Sequence, residues 1–410
     1  MRSGKTAVLV VFVLQGFIFG SWVPRVPALA GQVRAEVGTL GLALLGGSVG
    51  LILAAPLAGR LCARYGARLV VLGSALFSIA VLPVLALTAN PVQLGLVLLW
   101  LGASVGTMDV SMNIAGVTVV RQTGRPLMPV FHSGFSFGGM FGAAGAALAA
   151  AHGWAPLEHF SLVAALTMLV TLAVVRRVPN EPVLAKRGSQ RRTRRRGSLA
   201  GRPVLWLLGA VVLCSAVAEG ASADWSALFA VDERGISEGA AAIVYATFSV
   251  AMAVTRLLGE RAERRFGPDR LLVAGALTAG GGLLIAVSVP AAWASYLGFG
   301  LAGAGLAYAF PVALGLAGSV GRRADGSGGE RELAFVTAIA YSGFMLGPPL
   351  IGAIAQVSNL AVALGVAGVI AALMAPAALA AAWARRRESD PDRASAGTVP
   401  SSRSTVPARH

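Results

Sequence analysis

Three carboxylates stand inside long apolar stretches. Asp109 lies mid-way along one stretch at about 91–120, and Glu219 and Asp224 lie in another at about 203–230. An ionised carboxylate at the centre of a bilayer costs roughly 2.5–3.5 kcal/mol on insertion scales. Asp109 must therefore face a wet cavity, pair with a cation, or hold a proton. Loading and unloading a proton is the chemistry open to it, and Asp109 is the first candidate for proton coupling. The plainer alternative is a packing carboxylate capped by Asn113, one helical turn away on the same face. Glu219 and Asp224 are separated by about 500° of helix rotation, which predicts different faces and different tasks. Asp224 beside Trp225 suits a polar solute: the carboxylate binds hydroxyls and the indole stacks on a sugar ring. A hydrated Asp224 at the outer end, with Trp225 in the interfacial belt, is the alternative. Glu219 is expected to be a second proton site or the partner of a buried Arg.

Other polar groups could line the same route. Arg25 sits in Trp22-Val23-Pro24-Arg25-Val26-Pro27, where two prolines predict a kink or an end to the helix. It could pair with an acidic residue from the stretch at 203–230 and form an outer gate, or it could be a solvated loop Arg. Trp22 is a candidate cavity wall. His132 titrates near neutrality in water and is a candidate switch or binding residue. Asn113, Tyr245 and Tyr308 could hydrogen-bond a solute, as could Tyr341. Gly134, Gly138 and Gly142 recur every four residues, a spacing that favours close helix contact. Gly347 and Pro348, with Gly343, Pro349 and Gly352, should bend or weaken the helix that carries them and so serve gating. The two cysteines, Cys62 and Cys214, form neither a disulfide framework nor a metal site. No cofactor is expected.

The elements that position these residues follow from hydropathy and charge. The chain of 410 residues is 56% hydrophobic and 13% charged, too little charge to cover a soluble surface of this size. Its apolar segments are continuous, without the period-two alternation of a barrel, and a helical span needs roughly 20 residues. Twelve spans are predicted, at about 6–30, 38–60, 68–88, 91–120, 127–151, 157–177, 203–230, 237–260, 269–288, 291–320, 331–356 and 359–384. The N-terminus resembles a signal peptide, but its apolar run is long and it reads as an uncleaved first helix. Of the 34 Lys and Arg, all but Arg25, Arg34 and Arg234 fall in the tails, in the even-numbered connections, or at the span ends that meet them. Basic residues stay cytoplasmic, so both termini are expected inside a cell membrane. The same rule accounts for the net charge of +16 without nucleic acid. The expected parts are an N-terminal six-helix bundle (1–177), a basic linker (178–202), a C-terminal six-helix bundle (203–384) and a disordered tail (385–410).

The halves echo each other. Gly59-Arg60-Leu61-Cys62-Ala63-Arg64-Tyr65-Gly66 follows span two, and Gly259-Glu260-Arg261-Ala262-Glu263-Arg264-Arg265-Phe266-Gly267 follows span eight. Internal repeats of this kind typify secondary transporters. Six plus six spans, a long central loop and this Gly-Arg-Gly pattern resemble the major facilitator superfamily over roughly residues 5–385. The resemblance implies an all-α membrane protein of two pseudo-symmetric bundles and gating roles for Arg64, Gly66, Arg256 and Gly259. The Asp that the family usually carries before the loop Arg is Ala63 here. Met108-Asp109-Val110-Ser111-Met112-Asn113, Asp224-Trp225-Ser226-Ala227-Leu228 and Arg256-Leu257-Leu258-Gly259 are similar to the fucose-permease-like branch. That branch also has an acidic residue in span one, and this chain has none before Glu36.

The expected function is alternating-access transport of a small polar, sugar-like solute by proton symport, with the lipid bilayer as surroundings and a monomeric state. Proton-coupled efflux of amphiphilic compounds is the rival, because the spans offer few groups to grip a hydrophilic solute. A membrane sensor would need a folded cytoplasmic domain, and the linker is too short to be one. An enzyme is not expected, since no nucleophile–base set, metal cluster or phosphate-cradling loop is present.

Overall fold

Hydrocarbon holds no water to bond a backbone N–H or C=O, so an apolar stretch crosses it with its backbone bonds closed internally. A computed structural model describes residues 2–125, 127–179, 199–321 and 329–388, and every regular element in it is a helix. Spans one to six are Gly4–Val33, Val37–Tyr65, Ala67–Leu85, Pro91–Thr123, Val130–Ala151 and Pro156–Arg177. Spans seven to twelve are Pro203–Asp232, Glu238–Leu257, Pro268–Ser288, Ala292–Val320, Arg331–Val357 and Leu360–Glu388. Span twelve thus continues past 384. Most of the linker expected at 178–202, and the tail beyond Glu388, lie outside the described residues. The spans form two six-helix bundles, and these halves meet along spans two and eleven and along spans five and eight.

The loops of the repeat adopt the same backbone. Gly66 ends span two at φ 82°, ψ 154°, and Gly267 precedes span nine at φ 79°, ψ 158°. Side chains rarely tolerate this region, which explains a Gly at both places. Beside each Gly an Arg lies over an aromatic ring, Arg64 over Tyr65 at 5.2 Å and Arg265 over Phe266 at 5.6 Å. The halves differ just before this point. Span two runs unbroken to Tyr65, whereas span eight stops at Leu257 and a separate helix, Gly259–Phe266, follows.

Proline marks the irregular places. Span one does not end at Pro24; it passes through a 3-10 turn, Val23–Arg25, and resumes as an α-helix over Val26–Val33. The main interruption falls in span ten, between Ala292–Leu306 and Ala309–Val320. Pro311 has no N–H for the carbonyl of Ala307, four residues back, and the helix opens there. Span eleven, expected to be the weakened one, is continuous over Glu330–Val357 through Pro348 and Pro349.

The buried apolar residues fall into two groups. The larger joins almost the whole second half to one end of the first half, including Trp22, Leu29, Leu40, Leu44 and Leu94. The smaller, with Val8, Phe12, Val71, Met112 and Phe131, belongs to the first half alone, at the end that carries the chain termini. The halves are therefore packed together at one end and parted at the other. At the packed end a Cβ on Gly41 would lie 2.7 Å from the Pro348 carbonyl oxygen, and one on Gly239 would lie 3.1 Å from that of Ala147. The Gln356 side chain closes the same end, accepting from the Gly38 N–H at 2.9 Å and donating to Glu36 at 3.0 Å.

Within the first half, the glycines of span five do what their spacing predicts. Gly138 and Gly142 press against the backbone of span one at Val13 and Phe17, with no room for a Cβ, and Gly145, one turn on, faces open space. Overpacking costs about 1–3 kcal/mol. Gly138→Ala should therefore lower the thermal midpoint of the purified protein, while Gly145→Ala should leave it unchanged or raise it. Equal midpoints for the two variants would contradict this packing.

Candidate functional site

The two halves enclose a cavity of about 320 Å³. Spans one, two, four and five contribute an apolar wall, with Phe19, Trp22, Leu51, Leu101 and Phe135 prominent and only Ser48 and Ser136 polar. Spans seven, eight and eleven contribute Glu219, Asp224, Tyr245, Ser249, Arg256 and Tyr341. One wall is thus greasy and aromatic, and the other carries every charge in the lining.

Span seven borders the cavity through Glu219, Gly220, Ala223 and Asp224, an arc of roughly 140° at 3.6 residues per turn. The arc is wide enough to bring both carboxylates to one site, contrary to the expectation of separate faces. Glu219 pairs with Arg256 of span eight at 3.6 Å. Its partner is an Arg, as the second expectation had it, but Arg256 is exposed rather than buried. The Arg256 Nε also donates to the Ala307 carbonyl at 3.4 Å, the group left without a helical donor by Pro311. Arg256 therefore ties spans seven, eight and ten together. Asp224 differs: it has no hydrogen bond or ion pair to any other described residue. Tyr245 is within its electrostatic reach, and Ser249, one turn along span eight from Tyr245, lines the same wall. The Ser48 hydroxyl of span two donates to the Phe344 carbonyl of span eleven at 3.1 Å. Pro348 frees that carbonyl in the same way, so this bond joins the halves at the cavity wall.

Several expected site residues lie elsewhere. Trp225 is 0% exposed in the core of the second half, about 100° around the helix from Asp224; it can neither stack on a solute nor sit in an interfacial belt. Asn113 does not line the cavity, because its amide donates to the Asp109 carbonyl at 2.8 Å and the Asp109 carboxylate at 3.2 Å. Asp109 is half-buried, one turn from the cavity residue Val105, and within electrostatic reach of Tyr341. Tyr308 sits at the break in span ten with its ring over Gly259, outside the cavity. His132 stands edge-on to Phe12 at 5.2 Å and within electrostatic reach of Arg256, also outside the lining. Trp22, Asp224 and Tyr245 do line the cavity.

Arg25 is 3% exposed and is not a solvated loop residue. Its Nη2 donates to the Trp154 carbonyl at 2.7 Å within its own half. The acidic residue within its electrostatic reach is Glu238 of span eight, not one of span seven. Arg64 forms no ion pair among the described residues. Gly347 meets only ordinary contacts, the nearest 3.8 Å away at Val217. Among the described residues no three His, Cys, Asp or Glu side chains gather as a metal site.

Sequence reasoning missed Ser48, Ser136 and Ser249. Span eight held a signal, since Tyr245, Phe248, Ser249, Met252 and Arg256 recur at helical spacing on one face.

The sequence matches the profile of the Major Facilitator Superfamily over residues 8–328 and 225–408. The chain belongs to that superfamily of membrane transporters. It is 33% identical over 380 residues to an uncharacterized MFS-type transporter of Yersinia pestis, covering 92% of this chain and 96% of that one. The fold is similar to that of the nucleoside transporter NupG (TM-score 0.71, 14% identity, 93% of this chain and 99% of that one). It is also similar to a bacterial homolog of the human lysosomal transporter Spinster in an inward-facing, occupied conformation (TM-score 0.74, 14% identity, 93% and 96%).

The lining can be checked by thiol labelling in a Cys62→Ser, Cys214→Ser background. Ser249→Cys should react with a small hydrophilic thiol reagent, and Ser226→Cys, fully buried on span seven, should not. The reverse pattern would misplace the cavity.

Proposed function

We propose that the protein carries a small polar, sugar-like solute with an apolar face across the cell membrane by proton symport. The observation that carries the proposal is the two-faced cavity between the halves. Its aromatic wall suits a ring face, and its other wall offers a carboxylate and hydroxyls to the polar edge. Asp224 binds solute hydroxyls, with Tyr245 and Trp22 beside it. Asp109 carries the proton: no cation pairs with it among the described residues, and its only partner is an amide one turn away. The Glu219–Arg256 pair holds spans seven, eight and ten in place rather than cycling a proton.

The distribution of Lys and Arg supports cytoplasmic termini. The parted end would then face the cytoplasm, which corresponds to an inward-facing state like the one named for the Spinster homolog. The motifs around Asp109, Asp224 and Arg256 support a place in the fucose-permease-like branch, and the chain acts as a monomer. The apolar wall favours one other reading, efflux of an amphiphile in exchange for protons.

The test is the external pH of lightly buffered, de-energised cells expressing the protein, as a panel of sugars and related polyols is added singly. Symport predicts alkalinisation on addition of one solute, abolished in both Asp109→Asn and Asp224→Asn. Asp224→Asn should also abolish solute binding by the purified protein, and Asp109→Asn should retain it. Acidification on adding a solute would replace symport by exchange. A full response in Asp109→Asn would remove the proton from that residue.

A further inference from the structure

A second hollow, of about 740 Å³, lies on the outside of the first half, at the end that carries the termini. Span three contributes Arg68, Leu69 and Leu72 to it, and the end of span six contributes Leu172, Arg176 and Arg177. Three arginines line one recess, and no acidic residue is part of it. The Arg68 Nε donates to the Val178 carbonyl at 2.6 Å, which fixes that side chain and leaves its terminal nitrogens free of other described partners. Arg176 and Arg177 form no ion pair among the described residues.

The repeat shows what is unusual here. Arg68 stands two residues after Gly66, and Asp269 stands two residues after the matching Gly267. Asp269 forms an ion pair with Arg385 near the end of span twelve. The second half thus neutralises the junction of its third and sixth spans with its own carboxylate. The first half gathers three Arg around one recess at the corresponding junction, and like charges gathered there favour an anion among them.

The apolar part of the hollow says what kind of anion. Leu69 and Leu172 are 54% and 56% exposed and belong to membrane-spanning helices on the side away from the central cavity. A soluble phosphate has no use for them, whereas an acyl chain covers them directly. Basic recesses between spans, at the edge of the hydrocarbon, are built to hold acidic headgroups. We propose that this hollow is a binding site for one anionic phospholipid, its headgroup phosphate held by Arg68, Arg176 and Arg177 and its chain lying along Leu69, Leu72 and Leu172.

The experiment uses the full chain in mild detergent with equal amounts of phosphatidylglycerol and phosphatidylcholine of matched chains, and native mass spectrometry counts the lipid retained. Phosphatidylglycerol should be retained in preference, at one molecule per protein. Each arginine near the membrane surface should be worth roughly fivefold in affinity, so Arg176→Gln/Arg177→Gln should lose most of that retention. Arg125→Gln, another exposed basic residue outside the hollow, should retain it. Equal retention of the two lipids, unchanged retention in the double variant, or equal loss in the Arg125→Gln control would overturn the proposal. A competition arm adds glycerol phosphate; displacement of the lipid at comparable concentration would make this a site for soluble phosphate and overturn the lipid assignment.

Discussion

A proline inside a membrane helix leaves one carbonyl without its helical donor, and hydrocarbon supplies no water in its place. That constraint shapes the centre of this molecule. Pro311 strands the carbonyl of Ala307, and span ten opens at that point. Arg256 answers it from span eight, and its charge is in turn met by Glu219 of span seven. Pro348 strands the carbonyl of Phe344, and Ser48 answers it from the opposite half. The polar groups of the cavity wall are in part the groups that repair these two gaps. The polar part of the cavity wall and the irregular backbone are therefore linked.

The charges have separable roles. Glu219 and Arg256 are each partly open to the cavity, at 21% and 36% of the side-chain surface. Water screens such a pair, so its contribution to stability is small and its value lies in positioning. Asp224 has no such partner, which makes it the carboxylate in the lining available to a ligand. At the packed end Arg25 bonds one carbonyl of its own half through Nη2, while its Nε and Nη1 are buried without a hydrogen bond among the described residues and Glu238 is nearby.

Hydropathy made the twelve spans legible, because length and continuity of apolar sequence suffice to locate a helix in lipid. The repeat was legible through Gly66 and Gly267, since a backbone near φ 80° leaves its mark on residue type. Helix orientation was not. A span that touches lipid on one side and a mostly apolar cavity on another has little amphipathic contrast, so periodicity could not say that Asp224 faces inward and Trp225 away. Asn113 was misplaced for a related reason: its spacing from Asp109 fitted a cap and a ligand equally well, and only the hydrogen bonds decide. The break in span ten was legible in Pro311, but the denser Gly and Pro cluster of span eleven drew attention from it. Both freed carbonyls are answered from another helix, yet span ten breaks and span eleven stays whole.

All the charge in the cavity lining belongs to one half. If the halves rock as rigid bodies, the Glu219–Arg256 distance is the same in every posture, because both residues ride on the same body. Among the described residues no ion pair joins the halves, so none has to be pulled apart for the empty protein to turn over. What changes is the company kept by the apolar wall and by Asp224. Wetting and drying of that wall then accompany any such motion, and a solute that covers the wall would spare it that exposure.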